Sequence, residues 1–136
     1  MIYIIIGILL VLVLWAISAY NFFVSSQARI KASVQEIGNQ LKRQFDLIPN
    51  LEESARSYLK HETGIFEALT EARKAISNAV KSNNAQEMAD AGSMLSQVLP
   101  KIQIVVESNP ELKAAGVIEK LMDELRDTAD KIMYAR

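Results

Sequence analysis

No cysteine occurs in the chain, so disulfides, thiolate nucleophiles and zinc–thiolate sites are excluded. There is one histidine, His61. A di-iron bundle takes Glu-x-x-His pairs from facing helices, and here no second histidine exists and Tyr58, not Glu, stands three before His61. Prolines number three and glycines five, and no stretch alternates apolar and polar residues as a half-buried strand does. Neither a glycine-rich phosphate loop nor a Gly-x-Ser-x-Gly elbow is present. The net charge of −1 provides no basic field to hold nucleic acid. Glu119, Asp123 and Asp127 stand four apart, but Lys120, Arg126 and Lys131 interleave with them, which reads as a solvated face and not a metal site. The sequence therefore points away from an enzyme, and no cofactor or small-molecule substrate is expected.

What is abundant is Ala, Leu, Glu, Lys and Gln, a helix-forming composition. From Ile2 to Val24 the chain carries no charge, and only Ser18 and Asn21 are clearly polar. About 20 apolar residues suffice to cross the hydrocarbon core, and Trp15, Tyr20, Phe22 and Phe23 suit an interface. A signal peptide needs a positive n-region and a shorter apolar core; no Lys or Arg precedes this run. Residues 1–25 are thus expected to be a retained single-pass anchor in a lipid bilayer. Arg29 and Lys31, then Lys42 and Arg43, follow it, which by the positive-inside rule places the remainder in the cytoplasm. Residues 26–136 make one domain at most.

Beyond the anchor the apolar spacing is regular. Ile30, Val34, Ile37, Leu41, Gln44 and Ile48 step by four and three, and the phase continues through Leu51, Ala55, Tyr58, Glu62, Ile65, Leu69, Ala72, Ile76 and Ala79. This is a coiled-coil-like heptad stripe with two polar interruptions, Gln44 and Glu62. Lys81–Asn84 lacks the pattern and reads as a loop. Met88, Ala91, Leu95, Val98, Ile102 and Val105 form the next stripe, with Pro100 off it, so a kink and not a reversal is expected there. Ser108-Asn109-Pro110 ends that helix, and Ile118, Leu121, Leu125, Thr128, Ile132 and Ala135 form the last stripe. One apolar face per helix requires burial against a neighbour. The expected fold is all-α: one N-terminal transmembrane helix followed by an antiparallel three- to four-helix bundle.

Asp46-Leu47-Ile48-Pro49-Asn50-Leu51 admits two backbones. Asp46 or Asn50 can cap a helix, Asn50-x-x-Glu53 has capping-box spacing, and Ile48 precedes a proline, which disfavours helix. These favour a tight reversal. The unbroken heptad phase favours one long kinked helix.

The segment Gln40-Leu41-Lys42-Arg43, the hexapeptide Asp46–Leu51, Tyr58, His61-Glu62, Thr70-Glu71-Ala72-Arg73, Pro110–Ala114, Ala135-Arg136 and Tyr20-Asn21 together resemble the LemA family of bacterial membrane-anchored proteins. The resemblance runs nearly end to end. It departs at Val34, where the family has Trp, at Gly38, where it has Asp, and at Gln44, where it has Arg. It implies an anchor in a bacterial cell or internal membrane, a bundle of about four helices, and no assigned enzymatic activity; some relatives organise membrane compartments, magnetosomes among them. It also implies more helix beyond Arg136, so that either the domain is short or its C-terminal part lies outside this chain. The resemblance favours the reversal at Asp46–Asn50. Pro49 lies 25 residues beyond Val24, about 38 Å along a helix, and a reversal there would make a distal tip shared with Asn109–Ala115.

The functional expectation is a scaffold that binds partners through its helical faces and that tip, with Asp46, Leu47, Ile48, Pro49, Asn50 and Leu51 as partner-binding residues. Expected partners are a second copy of the chain or other subunits of a membrane complex; the alternative is an accessory or regulatory subunit of a larger membrane enzyme or signalling complex. Ile132 and Met133 are expected to lack partners within the chain and to form contacts between chains, together with the first helix. Glu62, on the seam, is expected to be partly buried beside Lys42, Arg43 or His61.

Overall fold

The computed structural model describes residues 1–56, 63–111 and 116–135, Thr63 by its backbone only. Among the described residues there are four helices and no strand: α1 (Ile2–Ala55), α2 (Thr63–Ser82), α3 (Ala85–Ser108) and α4 (Val117–Ala135). The chain divides into two units, Met1–Ser33 and Val34–Arg136.

In the first unit the large apolar side chains from Ile2 to Val24 all stand exposed. An 18-residue window with mean hydropathy 2.8 is 0% buried. By length and composition this segment can cross a membrane. α1 is the one described helix with such a window.

The second unit is a four-helix bundle built on the stripes. Ile37, Leu41, Ile48, Leu51 and Ala55 of α1 are buried, as are Ile65, Leu69, Ala72, Ile76 and Ala79 of α2. α3 contributes Met88, Ala91, Leu95, Val98 and Ile102, and α4 contributes Ile118, Leu125, Thr128 and Ile132. The helices run alternately up and down. Phe45 meets Arg73, whereas Val34 and Gly38, earlier in α1, line a groove with Val80, later in α2, so α1 and α2 are antiparallel. Gln103 meets Arg126 while Gly92 faces Ile132, so α3 and α4 are antiparallel. Arg43 pairs with Glu124 at 3.4 Å and Asp127 at 3.6 Å, which closes the bundle by joining α1 to α4. The Arg73 guanidinium carbon lies 4.6 Å over the Phe45 ring and ties α2 to α1.

The stripes are wider than their strict heptad positions. Ala89, Gly92, Leu99 and Val106 of α3 and Met122 of α4 are also buried, because a helix inside a bundle meets two neighbours and buries a broader arc than a two-helix seam. Ile30, in phase with the stripe, is exposed and lies in the first unit.

The link between α2 and α3 is as short as the Lys81–Asn84 pattern suggests. Asn83 takes φ 52°, the left-handed conformation that asparagine tolerates after a helix. Asn84 caps α3, its side-chain oxygen accepting from the Gln86 and Glu87 amides at 2.9 and 3.2 Å. The Ser82 hydroxyl donates to Glu87 at 2.6 Å. Asn84→Ala is expected to cost about 1 kcal/mol through loss of this cap, read as a fall in the urea midpoint with an unchanged slope.

Pro49 does not reverse the chain. α1 continues from Ile2 to Ala55 with Pro49 inside it. A proline inside a helix costs about 3 kcal/mol. Ile48 and Leu51 are both 0% exposed and Ala55 is buried as well. Burying an aliphatic side chain of that size contributes about 1.5–3 kcal/mol, so keeping the seam in helical phase outweighs the lost hydrogen bond. Pro100 likewise lies inside α3, which runs unbroken to the Asn109 cap.

Candidate functional site

The hexapeptide lies within α1, so its six side chains are divided by helical periodicity. Ile48 and Leu51 point into the core, Leu47 and Pro49 are half-buried, and Asp46 and Asn50 are exposed. Asp46 and Asn50 therefore cap no helix, and the segment forms no tip. Ile48 belongs to the core and Leu47 packs against it. Of the six, Asp46 and Asn50 present the most side chain to solvent. Pro110 and Glu111 are described but Leu112–Ala115 are not, so the expected pairing of that loop with the hexapeptide falls outside the described residues. So do His61 and the expected burial of Glu62.

On α4 the carboxylates are engaged with basic neighbours. Asp123 pairs with Arg126 at 3.4 Å, and Asp127 with Lys131 at 2.8 Å as well as with Arg43. Glu124 is held by Arg43. These pairs are largely exposed and each contributes at most about 1 kcal/mol. No group of three or more metal-ligating side chains with metal-binding geometry occurs among the described residues.

The expectation that Ile132 and Met133 both lack partners is corrected in half. Ile132 is buried against Gly92, whereas Met133 is 66% exposed. Helical phase explains the split: Ile132 continues the Leu125–Thr128 seam, and Met133 falls one position beyond it. A groove of about 410 Å³ runs between α3 and α4, floored by Leu99, Pro100 and Ala129 and bordered by Ile104, Arg126 and Asp130. Ile104 is 67% exposed. Arg126 donates to Gln103 at 2.8 Å across the groove. On α4 the residues Arg126, Ala129, Asp130, Met133 and Tyr134 follow at three- and four-residue spacing and share one face. The signal for this face was present in the sequence: Ile104 and Met133 are large apolar residues off the stripes of their own helices.

A second groove lies between α1 and α2, lined by Lys42, Phe45, Ile76, Ser77, Val80 and Lys81. It is about 260 Å³.

The model of the LemA family matches residues 33–136, and the chain belongs to that family. The match covers the bundle and leaves the apolar N-terminal segment outside it. No curated protein matches the chain.

Proposed function

We propose that this LemA-family chain is a non-catalytic scaffold, held in a membrane by residues 2–24, that assembles with further copies of itself through the α3–α4 face. The observation that carries the reading is the chemistry of that face. A two-fold contact must be self-complementary, because any contact from one residue to a second on the other copy is repeated with the two copies exchanged. Arg126 and Asp130 stand one helical turn apart on either side of the small residue Ala129, and Asp130 has no ion-pair partner among the described residues. An antiparallel approach of two α4 helices sets Arg126 of one copy against Asp130 of the other, twice. Ile104 and Met133, both about two-thirds exposed, flank those charges with apolar surface that water disfavours.

The anchor reading rests on the bare apolar segment, which a soluble domain of this size does not leave uncovered. Sequencing the N-terminus of the membrane-bound protein tests it: a retained Ile2–Val24 segment is expected, and a chain that begins after Val24 identifies a cleaved signal.

The assembly reading predicts a charge-swap pattern. In mild detergent the protein is expected to sediment as a defined homo-oligomer. Arg126→Glu is expected to weaken association at least tenfold, Asp130→Arg likewise, and the double variant to recover most of the loss. A wild-type protein that remains monomeric but is recovered stoichiometrically with one unrelated membrane protein identifies it as an accessory subunit and removes the scaffold reading.

A further inference from the structure

Gln44 lies on the α1 seam between Leu41 and Ile48, and all three are 0% exposed. Neither amide atom of Gln44 has a hydrogen-bond partner among the described residues. The other buried polar residue described is Thr128, also 0% exposed. Its hydroxyl donates to the Leu125 carbonyl at 2.6 Å, so its oxygen keeps lone pairs available to a donor. The two residues share a layer: Arg43, next to Gln44, pairs with Asp127, next to Thr128, at 3.6 Å. The remaining buried α1 positions from Ile37 to Ala55 are aliphatic.

We propose that Gln44 and Thr128 form a polar layer that fixes the register of α1 in the bundle at the expense of stability. An aliphatic heptad seam repeats every seven residues and discriminates poorly between registers offset by one heptad. Gln44 breaks that degeneracy. In the observed register its amide lies in the layer with the bundle's buried side-chain hydroxyl. Sliding α1 by one heptad places Gln44 where Ile37 or Leu51 now sits and separates it from Thr128. An amide moved to either position leaves the layer of Thr128, the other buried polar residue described, and the slipped state is disfavoured. The surface pairs of Arg43 favour the same register but are weak and screened by salt. The layer carries a cost in the native state too, because an aliphatic side chain at position 44 would be buried without stripping an amide of water.

The test uses the full chain in detergent, spin-diluted with unlabelled protein. The absence of native cysteine allows nitroxides to be placed at Asp46→Cys on α1 and Lys120→Cys on α4, both exposed positions. The background with Gln44 is expected to give one narrow distance. Gln44→Leu is expected to melt about 5–10 °C higher and to broaden that distance or add a second population displaced by as much as about 10 Å, one heptad along the axis. Thr128→Val is expected to broaden the distance in the same way. A Gln44→Leu protein with a single unchanged distance overturns the register role, and one that melts at or below the parent shows that the amide is no burden in the native core, which overturns the proposal from the other side.

Discussion

Gly92→Leu is expected to lose about 2–3 kcal/mol of stability, a large share of the roughly 5–15 kcal/mol that holds a domain together. A Cβ added at Gly92 would stand 3.1 Å from Ile132 Cγ2, 3.3 Å from Ile132 Cδ1 and 3.7 Å from Leu41 Cδ2. The glycine is therefore the point at which α3 lets both α4 and α1 approach. A helix-interior glycine costs about 1 kcal/mol relative to alanine, and the sequence tolerates that cost in return for close packing of Ile132 and Leu41. Gly92→Ala sets the propensity gain against a contact tight by a few tenths of an ångström; Ile132 Cδ1 can turn away, but Cγ2, held by the stiff χ1 of a β-branched side chain, gives only through a small shift of α4. Its net effect is expected to be within about 0.5 kcal/mol of zero. Leucine cannot be accommodated by that shift. Urea denaturation of the three proteins separates the cases, and a Gly92→Leu variant as stable as the parent would falsify the close approach of the three helices at this level.

Gly92 also shows what the sequence left illegible. Periodicity located most core positions, because burial on one face of a helix is a local pattern that 3.6 residues per turn imposes on the chain. It located the seam of α1 well enough that Gln44, a polar residue, could be assigned to it, and the structure buries Gln44 completely. Which helices touch depends instead on pairs remote in sequence. Leu41, Gly92 and Ile132 come together through the order of turns, and no local window contains them. The hexapeptide failed for a different reason. Its residues carry real capping and proline signals, and local rules read them as a turn. Those signals compete with the burial of Ile48, Leu51 and Ala55, a sum over the whole seam, and the sum is larger. The α3–α4 face was half legible: Met133 was noticed, but Ile104 becomes its neighbour only once α3 and α4 are seen to be antiparallel.

The two internal prolines are expected to act as a pair. α1 and α3 run parallel within the bundle: the Cβ position of Gly38 lies 3.6 Å from Met88, 50 residues on, and that of Gly92 lies 3.7 Å from Leu41, 51 residues back. By the same offset Pro49 stands level with Pro100, and both lie inside their helices. Each proline removes the hydrogen bond to the carbonyl four residues earlier, Phe45 in α1 and Ser96 in α3, and bends the axis there. The two up-running helices thus carry their prolines at one height, with Pro49 half-buried and Pro100 exposed. Taken alone, Pro49→Ala restores a backbone donor and removes a residue about 3 kcal/mol poorer than alanine in a helix. Yet the side chains on either side, Ile48 and Leu51 in α1 and Leu99 and Ile102 in α3, are buried, and their packing is fitted to whatever axis the prolines impose. Straightening one helix against a bent neighbour misaligns them. Pro49→Ala and Pro100→Ala are each expected to yield folded, helical proteins that gain much less than 3 kcal/mol or lose stability, while the double variant exceeds the sum of the singles by about 1–2 kcal/mol, a coupling that a double-mutant cycle measures directly. Residues this far apart in sequence with no shared packing would instead add within about 0.5 kcal/mol. An additive result would mean that the two bends are independent and that their common height does nothing for the fold.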